Sequence, residues 1–303
     1  MIWVIGSENE LGKEITDLLK QKQALFVTSD SELDILKYEN LENFIKSKET
    51  EVYYSSHRNL KNPTEGKIDW IINCTSLFDG RYAGTDENLK NKMSMNVARV
   101  SREHGAKLIH ISDFKDNEVE ISSTITQYYI IKTSGIFGKK AEGNFSRLIS
   151  DLGSENRKDF QNASKMQYTS ARDLAEVILS IIEKSKKATK LFGKNSALSH
   201  GTYIFTNKGS ATPYEFAAFV YGELKKKKLV KNECTINPVS ENKPASNDVQ
   251  NLESASDETD ENRSVSSPEQ RKTESTKIIS SEILEKQLKY KNSDWKEAVK
   301  RML

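Results

Sequence analysis

In the stretch QYYIIKTSGIFG, residues 127 to 138, Tyr128 and Lys132 stand four positions apart. A tyrosine and a lysine at that spacing can deliver a proton to a carbonyl, because a nearby ammonium lowers the phenol's pKa toward the working range. The chemistry depends on the element that carries the pair. On a helix, residues i and i+4 have β-carbons about 5 to 6 Å apart and share one face. On a strand, four residues at about 3.3 Å each separate the two side chains by about 13 Å.

A second constellation is GSENELG, Gly6 to Gly12, which follows a short apolar run and opens a helical pattern. Glycines in that context let the backbone approach a pyrophosphate at a helix N-terminus. Asn9 stands where the middle glycine of a G-x-x-G-x-x-G turn would be. Asparagine is the non-glycine residue that best tolerates positive φ, so the turn survives it, although its side chain takes space that the phosphates approach. Glu8 and Glu10 add acidic charge beside the same helix end. A dinucleotide turn and a plain glycine turn joining strand to helix both fit these residues. Asp30 follows the next apolar run. An acid there either bonds a ribose 2′-hydroxyl and repels a 2′-phosphate, favouring NAD, or is an ordinary turn residue.

The elements around these residues alternate. MIWVIG, ALFVT (24–28), DWIINC (69–74) and AKLIHIS (106–112) are apolar strand runs. Between them, Leu11, Ile15, Leu18 and Leu19 share one helical face, LENFIKS is a short helix, and residues 86–104 form a long helix closed by Gly105. Apolar strands separated by helices imply a doubly wound α/β fold, a parallel sheet covered on both faces with ligands beyond the strands' carboxyl ends. Past residue 190, TYIFT (202–206), a helix opened by Pro213, and the closing helices SSEILEKQL and DWKEAVKRML read as a second, smaller lobe. Residues 241–276 carry almost no large apolar side chains and read as a disordered insertion.

Composition excludes several classes. At 303 residues and 36% hydrophobic, the chain can bury a sizeable core. No stretch reaches the roughly 20 apolar residues of a spanning helix, and the opening run is too short for a secretory signal, so a cytoplasmic location is expected. Net charge is +2, which gives no reason to expect nucleic acid. Cys74 and Cys234 are too few and too distant for a disulfide framework or a zinc site and read as buried thiols. The run KKKK, 225–228, reads as a solvated helix end, and His110 as a core histidine inside an apolar strand.

In order along the chain, GSENELGKEI, SELDI (31–35), WIINCTS (70–76), SMNVARV (94–100), AKLIHIS, IIKTSGIFG (130–138), EGNF (142–145), SARDLAEVI (170–178) and DWKEAVKRML resemble the dTDP-4-dehydrorhamnose reductases. The resemblance spans nearly the whole chain. It implies a parallel Rossmann sheet, residues 1–140 and 168–190, with a small C-terminal sugar-nucleotide lobe, residues 141–167 and 191–303. It also implies NAD(P)H as cofactor and a nucleotide or nucleotide-sugar ligand. Carried over residue by residue, Gly6, Asn9, Leu11 and Gly12 occupy the phosphate turn, and Asp34 a position beside the adenine. Asn73, Cys74 and Thr75 lie along the cofactor, and Asn96 matches a position usually filled by asparagine. Asn144 matches the domain junction, and Arg271 with Lys272 stands for an arginine-proline pair on the substrate side.

The catalytic side departs from that pattern. The family places a long loop and a helix bearing Y-x-x-x-K between the strand AKLIHIS and the strand that here reads YYIIK. In this chain only DFKDNEVEISSTITQ, residues 113–127, separates the two. A parallel crossover alone takes about a dozen residues, which leaves little for a catalytic helix. Tyr128 and Lys132 therefore belong to a strand, and the motif is a decoy. Ser112 is a remnant of the family's hydroxyl residues and Asp113 of its aspartate. The reading is a degenerate member without the hydride-transfer acid, acting as a nucleotide-binding or regulatory subunit. The alternatives are an active NAD(P)H-dependent reductase for dTDP-L-rhamnose, with Tyr82 supplying the proton, and a protein-interaction scaffold that uses residues 241–276. No metal, nucleic acid or membrane partner is expected.

Overall fold

The computed structural model of the protein describes residues 1–55, 66–75, 87–114, 119–139, 143–190, 198–230, 233–240 and 278–303. Tyr82, Arg271, Lys272 and the polar segment 241–276 lie outside them. The first half alternates as the apolar runs imply. It comprises β1 (Ile2–Ile5), α1 (Glu10–Gln21), β2 (Phe26–Ser29), α2 (Tyr38–Ser55), β3 (Trp70–Asn73), α3 (Glu87–Glu103), β4 (Lys107–Ser112), α4 (Val119–Thr124) and β5 (Tyr128–Lys132). There follow β6 (Ile136–Phe137), α5 (Asn144–Ser154), β7 (Arg157–Gln161), β8 (Thr169–Ser170), α6 (Ala171–Lys190), β9 (Gly201–Ile204), α7 (Pro213–Lys226), β10 (Thr235–Val239), β11 (Ile278–Ile279), α8 (Ser281–Leu288) and α9 (Trp295–Met302).

Seven strands form one parallel sheet in the order β11-β9-β5-β4-β3-β1-β2. Successive side chains of a strand point to opposite faces, so an all-apolar strand needs cover on both. In β1, Ile2 and Val4 pack with Leu11 and Ile15 of α1 and Leu174 and Ile178 of α6, while Trp3 and Ile5 pack with Leu41 of α2 and Val97 of α3. The strand order reverses at β1, between β2 and β3. The crevice at the carboxyl ends of β1 and β3 is therefore the switch point where such sheets hold ligands.

The run TYIFT, expected in the second lobe, instead contains β9, which pairs with β5 inside the main sheet, and β11 pairs with β9. Leu284 of α8 packs into the same core face as α1 and α6. The reason is backbone satisfaction, since without β9 the buried edge of β5 would have no ladder partner. The remaining C-terminal elements make a separate core in which Phe216 stacks on Tyr168 at 4.0 Å and meets Trp295 at 5.3 Å. Helix α7 opens on a capping box from Thr212 and Glu215 with proline in its first turn, and the lysine run closes it in solvent. The last helix is tied back to α6. The Arg301 guanidinium donates to both Asp173 oxygens at 2.7 and 2.8 Å, and Asn207 and Ser293 donate to the same carboxylate. Among the described residues no helix is long and apolar enough to cross a membrane.

Candidate functional site

The glycine turn lies at the switch point. Gly6 has φ +80, and Gly12 sits so close that a β-carbon on it would lie 2.1 Å from the Gly6 carbonyl oxygen. Strand, turn and helix start therefore pack backbone to backbone, as a phosphate cradle requires. Asn9 departs from its expected conformation. Its φ is −74 and ψ 171, extended backbone, so left-handed tolerance plays no part. Asn9 serves instead as the N-cap of α1, its Oδ1 accepting the Gly12 N–H at 2.7 Å while its Nδ2 donates to the Cys74 carbonyl at 3.0 Å. One side chain thus joins the β1 turn to the end of β3. Leu11 is fully buried among the core residues of α1, so only its backbone can face a ligand.

The other residues of the cofactor side are also held within the protein. Asp30 accepts from the Glu8 N–H and, at 3.3 Å, from the Ser7 hydroxyl. Burial raises its carboxyl above the usual range, and the Glu8 hydrogen bond opposes that shift. Asp34 accepts the Leu36 N–H at 3.1 Å and pairs with Lys37, closing a local turn. Asn96 donates to the carbonyls of Ile35 and Leu36 at 3.0 and 2.9 Å and so pins that loop to α3. The Asn73 Oδ1 accepts from the Thr75 N–H and hydroxyl, and its Nδ2 meets the His110 Nδ1 at 3.1 Å. The amide can only donate there, which assigns His110 Nδ1 as an acceptor. Burial pushes the Cys74 thiol far up, leaving it inert.

On the catalytic side, Tyr128 and Lys132 begin and end strand β5. The crossover before it holds α4, VEISST, six residues without tyrosine or lysine. Lys132 is paired in register with Ser112, and its Nζ lies 3.4 Å from the carbonyl oxygens of Asp113 and Phe114. The Ser112 hydroxyl donates to the Asp113 carbonyl. Tyr128 packs with the α2 and α3 face of the core, and burial raises its hydroxyl pKa, the reverse of what a proton donor needs.

One residue of the site escaped the sequence reading, where it counted only as acidic charge. Glu10, the first residue of α1, is 5% exposed, and its Oε1 accepts the Phe145 N–H of α5 at 3.3 Å. Burial pushes its carboxyl up to about 7. Nothing local marks it, because its partner lies 135 residues away. Asn144 is exposed at the first position of α5, beside this junction.

The backbone of the turn has the shape of a phosphate cradle, and two of its donors are already engaged within the protein. The Glu8 and Gly12 N–H groups already have partners, and the Asp30 carboxyl, accepting from Ser7 and Glu8, brings acidic charge to the turn that two phosphate charges would enter. Among the described residues no group of side chains could hold a metal ion.

A family model described as RmlD substrate binding domain matches residues 115–303. No curated protein matches the sequence. Among solved structures, the chain is similar to a dTDP-4-dehydrorhamnose reductase from Clostridium acetobutylicum at 19% identity, with 99% of this chain and 97% of that one covered and a TM-score of 0.65. A dTDP-4-dehydrorhamnose reductase from Bacillus anthracis in complex with NADP gives 18%, 99% and 97%, and 0.66. The GDP-mannoheptose C4 reductase from Campylobacter jejuni with NADP bound gives 12%, 99% and 96%, and 0.58. These likenesses show the α/β Rossmann-type fold.

Proposed function

The chain belongs to the RmlD substrate binding domain family, and from that premise we propose a dTDP-4-dehydrorhamnose reductase-like protein that lacks the hydride-transfer acid and acts as a nucleotide-binding or regulatory subunit. The observation that carries this reading is the β4–β5 crossover. Its helix α4 has no tyrosine or lysine, and the Y-x-x-x-K pair Tyr128–Lys132 lies along β5. A second such pair, Tyr221–Lys225 on α7, belongs to the small lobe, where the Tyr221 hydroxyl accepts the Cys234 N–H. General acid catalysis needs a donor within hydrogen-bond reach of the reacting oxygen and with a pKa near the working pH, and Tyr128 meets neither condition. The engagement of the Glu8 and Gly12 N–H groups within the turn supports subunit contact rather than turnover. In this reading the lobe built on α5, α7, α9, β7 and β10 serves as the sugar-nucleotide side, with Asn144 at the junction. Mixing the protein with NADH or NADPH and dTDP-4-dehydrorhamnose is expected to oxidise no cofactor. Turnover in the ordinary range of about 1 to 1,000 per second would sink the reading.

A second reading is an active NAD(P)H-dependent reductase contributing to dTDP-L-rhamnose synthesis, with the proton donated from Tyr82. The likeness to solved reductases over 97% of their length supports it. Replacing Tyr82 with phenylalanine separates the two, because an unchanged rate in an active protein would remove that donor.

A further inference from the structure

The carboxyl of Glu10 does the work of a helix cap for an element far away in the chain. Helix α5 opens on Gly143, whose backbone is extended and which has no side chain to satisfy the first-turn N–H groups. The Glu10 Oε1 accepts one of them, from Phe145. It sits where a side chain on residue 143 would have to be, since a β-carbon built on Gly143 would lie 2.1 Å from that oxygen. Gly138 closes the other side, with the Glu10 β-carbon 3.1 Å from the position of its missing side chain. Two glycines thus form a socket fitted to one carboxyl. Asn9, the preceding residue, caps α1 itself. Neighbouring side chains therefore cap two helices, one starting at the nucleotide turn and one opening the small lobe.

We propose that Glu10 is a proton-operated latch between the glycine turn and the small lobe. When protonated, its carboxyl stays in the glycine socket and holds the first turn of α5. When ionised, it gives its proton to solvent, withdraws toward water and leaves that turn uncapped. Among the described residues, the charged side chains in the first turns of the helices around it and after β6 are Lys13 and Glu14 of α1, Lys139, Arg147 of α5, and Arg172 and Asp173 of α6. Lys13 pairs with Glu8, Glu14 with Arg172, and Asp173 with Arg301. Burial dominates the titration of Glu10, and the Phe145 hydrogen bond opposes it without overcoming it. The ends of α1 and α5 favour the ionised form through their dipoles, but an enclosed carboxylate has lost its water. The midpoint near neutrality makes the latch responsive where a cell's pH varies.

The test needs neither nucleotide nor turnover, so it stands or falls apart from the functional reading. Hydrogen exchange of the peptide spanning residues 143–148, corrected for the intrinsic rate, is measured from about pH 6 to about pH 8 in the wild type and in Glu10→Gln. The wild type is expected to lose protection about tenfold across that range, and the variant to keep it. Protection that does not change with pH in the wild type, or an equal change in the variant, overturns the latch. If Glu10→Gln does not fold, carbon-13 titration of the wild-type Glu10 carboxyl decides. The Phe145 amide signal must then move with the same midpoint, and an amide that does not titrate with Glu10 overturns the proposal.

Discussion

The glycine turn between β1 and α1 and the crossover between β4 and β5 leave the carboxyl ends of two strands of one sheet, with β3 between them, yet they have kept different things. The turn has kept its backbone, with Gly6 in the left-handed region and Gly12 against its carbonyl, while two of its donors, the Gly12 and Glu8 N–H groups, bond inward to Asn9 and Asp30. The crossover keeps what is needed to connect two parallel strands, a six-residue helix anchored by Ile121, and has no proton-transfer pair. The difference follows from what each segment does for folding. A crossover can shorten to about a dozen residues with no effect on strand register. The turn cannot change shape, because strand and helix touch through it.

The sharpest way to break this comparison is Gly12→Ala. The added methyl would overlap the Gly6 carbonyl oxygen, and a loss of about 3 kcal/mol is expected in urea unfolding. A change below about 0.5 kcal/mol would mean that the turn is as pliable as the crossover. Next in size is the pH dependence from Glu10. Its folded pKa is raised from 4.5 to about 7, so its contribution to stability is complete below about 4.5 and is lost as pH rises through about 7. About 3 kcal/mol is expected to disappear as pH rises past that window in the wild type and to persist in Glu10→Gln, read from thermal unfolding. Asn9→Ala removes both the α1 cap and the bond to Cys74 and should cost about 1 kcal/mol, whereas Asn9→Gly should cost only a few tenths. The glycine variant should also bind NADH more tightly than the wild type in a fluorescence titration, and equal affinities would show that Asn9 does not oppose the cofactor. The smallest effect is expected from Tyr128→Phe, below about 0.5 kcal/mol in stability and none on any turnover. A lost rate in that variant would restore Tyr128 as an acid.

Much of this is legible in the sequence. The apolar-rich runs at 2–5, 70–73 and 107–112 place strands because a run of that length so rich in buried side chains must be covered on both faces. The position of the glycine turn follows from its place between the first strand and the first helix. The fate of the Y-x-x-x-K pair was also readable, since residues 113–127 are too few for a long loop and a catalytic helix together.

These features share a physical character. Period, run length and segment length are local quantities carried by neighbours in the chain, so the sequence alone determined the alternating α/β order, the place of the cleft and the strand setting of Tyr128 and Lys132. Tertiary structure decided what depends on partners brought together across the fold. It placed β9 and β11 in the main sheet, because β5 offered a ladder that only a distant segment could fill. It made Asn9 a cap rather than a left-handed residue, because the Cys74 carbonyl and the Gly12 amide converge on it. It turned Glu10 from a surface acid into a buried one, because burial and the loss of water come from packing against Gly138, Gly143 and Phe145, which no run of neighbouring residues encodes.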